Sequence, residues 1–363
     1  MEVTASAPGK VFLLGEYAVA LGAPAVVATV DRRLSCRGST AAGSGRLSIR
    51  VGAENYVGPL DADTLEGIPG SCRFVAAAVL TSARRLGMRG VDLEFTTWSD
   101  LDGAGPKVGL GGSAAAVVAA TAATHALGGR PDEDRKILAA LGVAAHRLAQ
   151  GGGSGADVVA STLGGVQWIS DLDASDVPST VAACGTGARM RTEPLSLPGD
   201  LCLDVVATGT SASTGPRIRR FVGRARGEGP LGEGAAKILE AWSAGMSAVV
   251  TEFRDGCLAG SVERVLRATE HGRALLTRLG ALTGIRIWTT ALHRACDALG
   301  PTNAVAIKPS GAGGGDCAVA LGPAGRRSEL YAAWMSAGLQ PLEVEASLDG
   351  VRVEMTREGN GHG

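Results

Sequence analysis

The sequence predicts an α+β protein in two domains, and three observations carry that prediction. A chain of 363 residues with 45% hydrophobic content is long enough to form two cores. Short apolar or alternating runs bounded by turn residues read as strands, and segments with helical spacing lie between them. In the second half the order is strand, helices, two strands, helix, strands, which suggests a sheet with helices on one face.

The elements follow in chain order. The run from Val3 through Pro8-Gly9-Lys10 to Leu14 and Ala25–Val30 read as buried strands, with Leu34–Cys36 and Leu47–Val51 as antiparallel neighbours across a turn-rich Gly38–Gly45 connection. Phe74–Leu86 spaces its apolar residues as a helix that ends at Gly87, and Val91–Phe95 alternates as a half-exposed strand. After Lys107-Val108-Gly109-Leu110-Gly111-Gly112-Ser113 an Ala-rich helix runs to about Leu127. Asp132 is placed to cap the next helix, which stops at Gly151-Gly152-Gly153. Ser154-Gly155 opens another helix with Asp157 in its first turn, and Val166–Ile169 is a strand. Asp171–Pro198 lacks periodicity, so the domain boundary is set near Pro198, giving domains 1–198 and 199–363. Beyond it come a strand at Leu201–Ala207, two or three helices between Gly234 and Leu299, strands at Ala304–Ile307 and Cys317–Leu321 around a glycine turn, a helix at Arg326–Ala337, and strands at Leu342–Val344 and Val351–Met355 that close the sheet.

Composition excludes several functions. Lys+Arg 35 against Asp+Glu 36 and aromatics at 4% argue against nucleic-acid binding, for want of a basic face and of stacking platforms. The 7 cysteines are scattered, without a C-x-x-C, which argues against a disulfide framework or a zinc site and fits a reducing cytoplasm. No apolar run reaches membrane-spanning length, so no membrane partner is expected; small-molecule partners and a monomer or homodimer are the remaining expectation.

The glycine run at 109–112 followed at once by a helix is the chemical centre of the sequence. Glycines let backbone N–H groups close on a ligand, and a helix start adds orphan donors and a positive dipole end, the ingredients of a phosphate cradle. The run is neither a Walker loop nor a dinucleotide fingerprint, and Lys107 lies on the wrong side of the glycines for the former.

Three separated segments give the cradle a context: Pro8-Gly9-Lys10 to Tyr17, Gly109 to Ala116, and Lys308-Pro309-Ser310-Gly311-Ala312-Gly313-Gly314-Gly315-Asp316-Cys317. In order and separation they resemble the three motifs of the GHMP kinases, over nearly the whole chain. Gly15-Glu16-Tyr17, Ala145-His146 through Gln150, Gly153-Ser154-Gly155-Ala156-Asp157, Ser211-Ala212-Ser213-Thr214 and the Lys-Pro-Ser opening are similar to the phosphomevalonate kinases of that family. The resemblance implies a ribosomal protein S5 domain 2-like N-terminal domain, a ferredoxin-like C-terminal domain, and transfer of the ATP γ-phosphoryl to (R)-5-phosphomevalonate with Mg²⁺. Mevalonate kinase and a non-catalytic nucleotide-binding homologue are the alternatives. One departure stands out: Gly112 replaces the first serine of the family's Gly-Leu-Gly-Ser-Ser-Ala-Ala.

The resemblance also assigns roles. Lys107, Gly109, Leu110, Gly111, Gly112, Ser113 and Ala114 are expected at the nucleotide, with Ser113 as the metal ligand or, in a plain structural role, the helix N-cap. Lys107 could instead meet the substrate phosphate or lie in solvent. Lys10 and Asp157 are the expected catalytic residues, Lys10 partnered by a phosphate or by Asp157. Asp157 is either a base or an orienting charge, because a helix N-terminus and a nearby lysine both favour its ionised form. Lys10, Tyr17, Ser154, Gly155, Ser213, Thr214, Gly311, Ala312 and Gly313 are expected at the substrate, although Ser213 and Thr214 could equally form a capping pair. His146 reads as a packed or solvated helix residue.

Overall fold

The computed structural model describes residues 1–102, 107–172, 177–187, 189–212, 214–228, 232–300, 302 and 304–356. Ser213 therefore lies outside the described residues. Two sheets organise the chain. The first contains β1 (Glu2–Leu14), β2 (Ala25–Ala42), β3 (Arg46–Val51), β4 (Glu54–Pro59), β5 (Val91–Ser99), β6 (Val166–Ser170), β7 (Arg191–Leu195) and β12 (Arg352–Thr356). Its main path runs β12-β1-β2-β5-β3-β4, with β6 pairing β2 and β7 pairing β6. The second sheet has the order β11-β8-β10-β9, from β8 (Leu201–Ala207), β9 (Ala306–Pro309), β10 (Cys317–Pro323) and β11 (Gln340–Leu342).

Four helices pack on one face of the first sheet: α1 (Gly70–Leu86), α2 (Gly112–Leu127), α3 (Arg135–Gln150) and α4 (Ala156–Leu163). In α2 every residue from Ala114 to Leu127 is buried, and alanine spacing lets α1, α3 and the sheet close around it. β1 alternates at its start, with Val3, Ala5 and Ala7 inward, and is then buried without interruption from Ala7 to Val11. There α6 (Gly232–Leu258) and α7 (Val262–Thr283) cover its other face, and Gly272 of α7 lies against the Leu14 side chain, which an added Cβ would have to displace.

Several expectations need correction. Leu34–Cys36 is no separate strand: β2 runs 18 residues, pairing β6 along its first part and β5 along its second. Gly38 belongs to that strand rather than to a turn, because an added Cβ would lie 2.6 Å from the Phe95 ring. Asp134, not Asp132, caps α3, accepting from the Lys136 N–H at 2.7 Å. β7 lies in the stretch read as irregular. In the second sheet, Val205 and Val319 join the main core, to which α6 and α7 contribute, while Val206, Ala318 and Ala320 share a second core with α8 (Thr290–Asp297) and α9 (Arg327–Ser336). Helices thus cover both faces, and Asp204, the one charged residue of β8, is buried against Arg327 at 2.7 Å.

Pro198 falls between β7 of the first sheet and β8 of the second, and the last described strand returns to the first sheet. The Val351–Met355 strand does not close the second sheet. As β12 it pairs antiparallel with β1, Glu2 opposite Thr356, and the approach to it is tied to β2 by Val30 bridging Ala346 and by the Thr29 hydroxyl donating to the Ser347 carbonyl at 2.7 Å. Among the described residues no helix is long and apolar enough to cross a membrane.

Candidate active site

The three glycine-containing motifs meet at a cleft of about 530 Å³ between the sheets. β1 and the turn after it supply Lys10, Glu16 and Tyr17; the start of α2 supplies the cradle; the β9–β10 connection supplies Gly311, Ala312 and Asp316.

The cradle is built by close approach. Gly109 and Gly111 have φ of 83° and 81°, and an added Cβ would lie 2.5 Å from Asp316 Cβ and from Lys10 Cε respectively. Glycine is required at both positions, by conformation and by space. The Leu110 carbonyl accepts the Lys10 N–H at 2.8 Å, which locks the cradle to β1. Gly111, not Ser113, is the N-cap of α2, and among the described residues no side chain caps that end, so the orphan N–H groups of its first turn face the cleft. The capping role considered for Ser113 therefore falls. Its hydroxyl meets His146 Nε2 at 3.2 Å instead. At Gly112 there is room: among the described residues an added Cβ would meet only Leu101, at 3.9 Å.

Opposite the cradle, Gly155 (φ 81°) caps α4 and Asp157 sits in its first turn, one carboxylate oxygen accepting the Val158 N–H at 3.0 Å. The loop before it is held from α3: Arg147 donates to the Gly153 and Ser154 carbonyls at 3.0 and 2.8 Å. Lys10 is nearly buried and lies 5.4 Å from the Phe12 ring centroid. Among the described residues Lys10 and Asp157 form no ion pair, although both line the cleft. Lys107 is exposed at the cleft edge.

Of the other expected residues, Leu110, Ser154, Thr214, Gly311 and Ala312 line the cleft. Two do not: the Ala114 side chain is buried in the core, and Gly313 turns at φ 64° against Ile287. Tyr17 lines the cleft, but its hydroxyl donates to the Ala312 carbonyl at 2.6 Å, and burial pushes the phenol above its ordinary range. The structure uses it to tie the first motif to the third.

Sequence reasoning missed four contributors. Glu16 and Lys308 form a fully buried ion pair, and burial pushes the Glu16 carboxyl up against the pull of Lys308. Ser310 clamps Phe12 of β1 through both main-chain groups, accepting its N–H at 2.9 Å and donating to its carbonyl at 3.2 Å. Asp316, at φ 57°, accepts the Ala212 N–H at 2.9 Å; burial raises its carboxyl, opposed by that bond and by Lys10 and Arg217. The placement of these four in the third motif and beside the first was the available signal, but nothing local in the sequence pairs residues almost 300 positions apart. His146 is buried, and burial, reinforced by Lys10 and Arg147 and opposed by Asp157, pushes its imidazole below the ordinary range.

A two-domain α+β fold with a glycine cradle at a helix start, a carboxylate at a second helix start and lysines between them defines a small-molecule phosphotransferase. Residues 73–165 match the model of the GHMP kinases N-terminal domain. The chain is 32% identical to the phosphomevalonate kinase of Streptomyces sp. (strain CL190), covering 95% of this chain and 97% of that one. It is 29% identical to the mevalonate kinase of Thermococcus gammatolerans, covering 98% and 99%. Among solved structures, the Streptococcus pneumoniae phosphomevalonate kinase in complex with phosphomevalonate and AMPPNP shares the fold, with a TM-score of 0.74 at 20% identity over 94% of this chain and 99% of that one. The chain belongs to the GHMP kinase family.

Proposed function

We propose that the chain transfers the γ-phosphoryl group of ATP to the phosphate of (R)-5-phosphomevalonate, giving the diphosphate and ADP. The observation that carries this reading is the convergence of Gly109–Ser113, Lys10 and Asp157 on one cleft. The choice of acceptor is supported by the full-length similarity to the Streptomyces phosphomevalonate kinase.

Phosphoryl transfer needs positioning and charge neutralisation more than covalent chemistry. The N–H groups at the start of α2 would receive the nucleotide's phosphates, and the dipole of that helix favours their charge. Lys10, buried and without a carboxylate partner within 4 Å among the described residues, would place its ammonium on the oxygens between donor and acceptor. Lys107 would meet phosphate from the cleft edge. Asp157 faces an acceptor whose attacking phosphate oxygen is already acidic, so orientation suffices and a strong base is unnecessary. Ser154, Gly155, Thr214, Gly311 and Ala312 would border the acceptor, with the cradle at the nucleotide.

Mg²⁺ suits the donor set. Ser113 offers a hydroxyl oxygen at the cradle, and phosphate oxygens and water would complete an octahedral shell. The cation, when bound, supplies neutralisation of charge on the transferred group.

Mevalonate as acceptor is the second reading, favoured by the full-length similarity to the Thermococcus enzyme. A coupled ADP-release assay with 5-phosphomevalonate, mevalonate and galactose separates the readings. Turnover with the first is expected; turnover with mevalonate and not with its 5-phosphate overturns the choice.

A further inference from the structure

The contact between His146 and Ser113 lies behind the cradle and has no part in the mechanism above. Three features define it. His146 Nε2 is 3.2 Å from Ser113 Oγ. Among the described residues His146 Nδ1 is buried with no hydrogen-bond partner. The ring is 1% exposed and packs at 5.3 Å, tilted 35°, against Phe74.

These features settle which way the hydrogen bond runs. A neutral imidazole carries a proton on one ring nitrogen and a lone pair on the other, and a charged one donates from both, so Nε2 could accept only if the single proton sat on Nδ1. A proton on Nδ1 would be a buried N–H without an acceptor, which native structures avoid more strictly than an unmet acceptor. Placing it on Nε2 makes His146 the donor and Ser113 Oγ the acceptor. The serine hydrogen is then barred from the histidine and must point elsewhere.

We infer that His146 is a positioning residue that donates from Nε2 to Ser113 and thereby turns the serine O–H into the cleft toward a phosphate oxygen. Ser113 keeps one further lone pair for a cation. The orientation matters because Gly112 leaves Ser113 as the sole hydroxyl among Gly109–Ser113. A family pattern with two serines can lose one rotor without losing its hydroxyl donor; this chain cannot. The inference rests on the reading of Gly109–Ser113 as the nucleotide's cradle.

Two measurements test it. Long-range ¹H–¹⁵N NMR of the histidine side chains should show His146 protonated at Nε2 and bare at Nδ1. Titration calorimetry with Mg²⁺ and the non-hydrolysable analogue AMPPNP should show Ser113→Ala and His146→Leu each weakening binding about three- to tenfold, the value of one hydrogen bond. The double variant should bind no more weakly than either single one, and His146→Gln, whose amide can donate, should recover part of the loss. A proton on Nδ1 overturns the inference, as do losses that multiply in the double variant. If His146→Leu does not fold, the NMR result on the unaltered chain decides alone. Absence of AMPPNP binding to the unaltered protein would instead refute the nucleotide reading itself, a distinct outcome.

Discussion

Lys308 and Glu16 lie 292 residues apart and form an ion pair in which neither side chain touches solvent. Lys308 also donates to the Pro309 carbonyl at 2.8 Å. With the Tyr17–Ala312 and Ser310–Phe12 bonds, the pair fastens the glycine turn of the third motif to the end of β1, so both walls of the cleft are set by one interlock.

Lys308→Met should cost about 3–5 kcal/mol, because it strands a carboxylate in an apolar interior. Adding Glu16→Gln should return part of that loss, since the neutral amide has less to lose by burial. Urea denaturation of the two variants checks both statements; equal stability of Lys308→Met and the unaltered protein would contradict the burial of the pair.

Asp157→Asn should lower turnover by about a hundredfold or more, in the range typical of acid–base and orienting groups. Single-turnover kinetics at saturating ATP isolates the step, and near-normal turnover would remove Asp157 from the chemistry.

Two glycines three residues apart should behave oppositely. Gly109→Ala forces φ of 83° on an alanine and drives its Cβ to 2.5 Å from Asp316 Cβ, so nucleotide affinity and stability should both fall, the latter by about 1–3 kcal/mol. Gly112→Ser enters open space at a helical position and adds a hydroxyl beside the phosphates, so AMPPNP binding should hold or tighten. Calorimetry on the pair checks the contrast.

His125 supplies a pH test. Burial pushes its imidazole below 6.5, outweighing the Glu133 carboxylate 3.1 Å away. Below pH 6.5 the unfolded chain takes up a proton that the folded chain resists, so the stability His125 contributes is present above that value and lost as pH falls toward the lower folded pKa. The margin of the unaltered protein over His125→Gln should therefore shrink from pH 7.5 to 5.5 in thermal melts. A margin that grows on acidification would mean that the Glu133 pair dominates.

Local signals were legible wherever the backbone itself dictates the residue. Gly87 and Gly151 end α1 and α3 in the left-handed conformation, and the Gly-Ser turn before Asp157 opens α4. The cradle was readable for the same reason. Gly38 misled because a glycine needed for packing against Phe95 looks the same in sequence as a turn glycine. β12 was assigned to the wrong sheet because strand pattern carries no partner: Val351–Met355 alternates equally well against either sheet, and its pairing with β1 is a long-range choice. Glu16, Lys308 and Ser310 escaped because their roles exist only once the two sheets meet.

The acceptor is the central claim, and ³¹P NMR of the enzyme with ATP and 5-phosphomevalonate tests it most directly. The account predicts that the phosphomonoester signal gives way to the coupled pair of a diphosphate as ADP accumulates. An unchanged phosphomonoester signal, with mevalonate supplied in its place converted to a monophosphate, would contradict it.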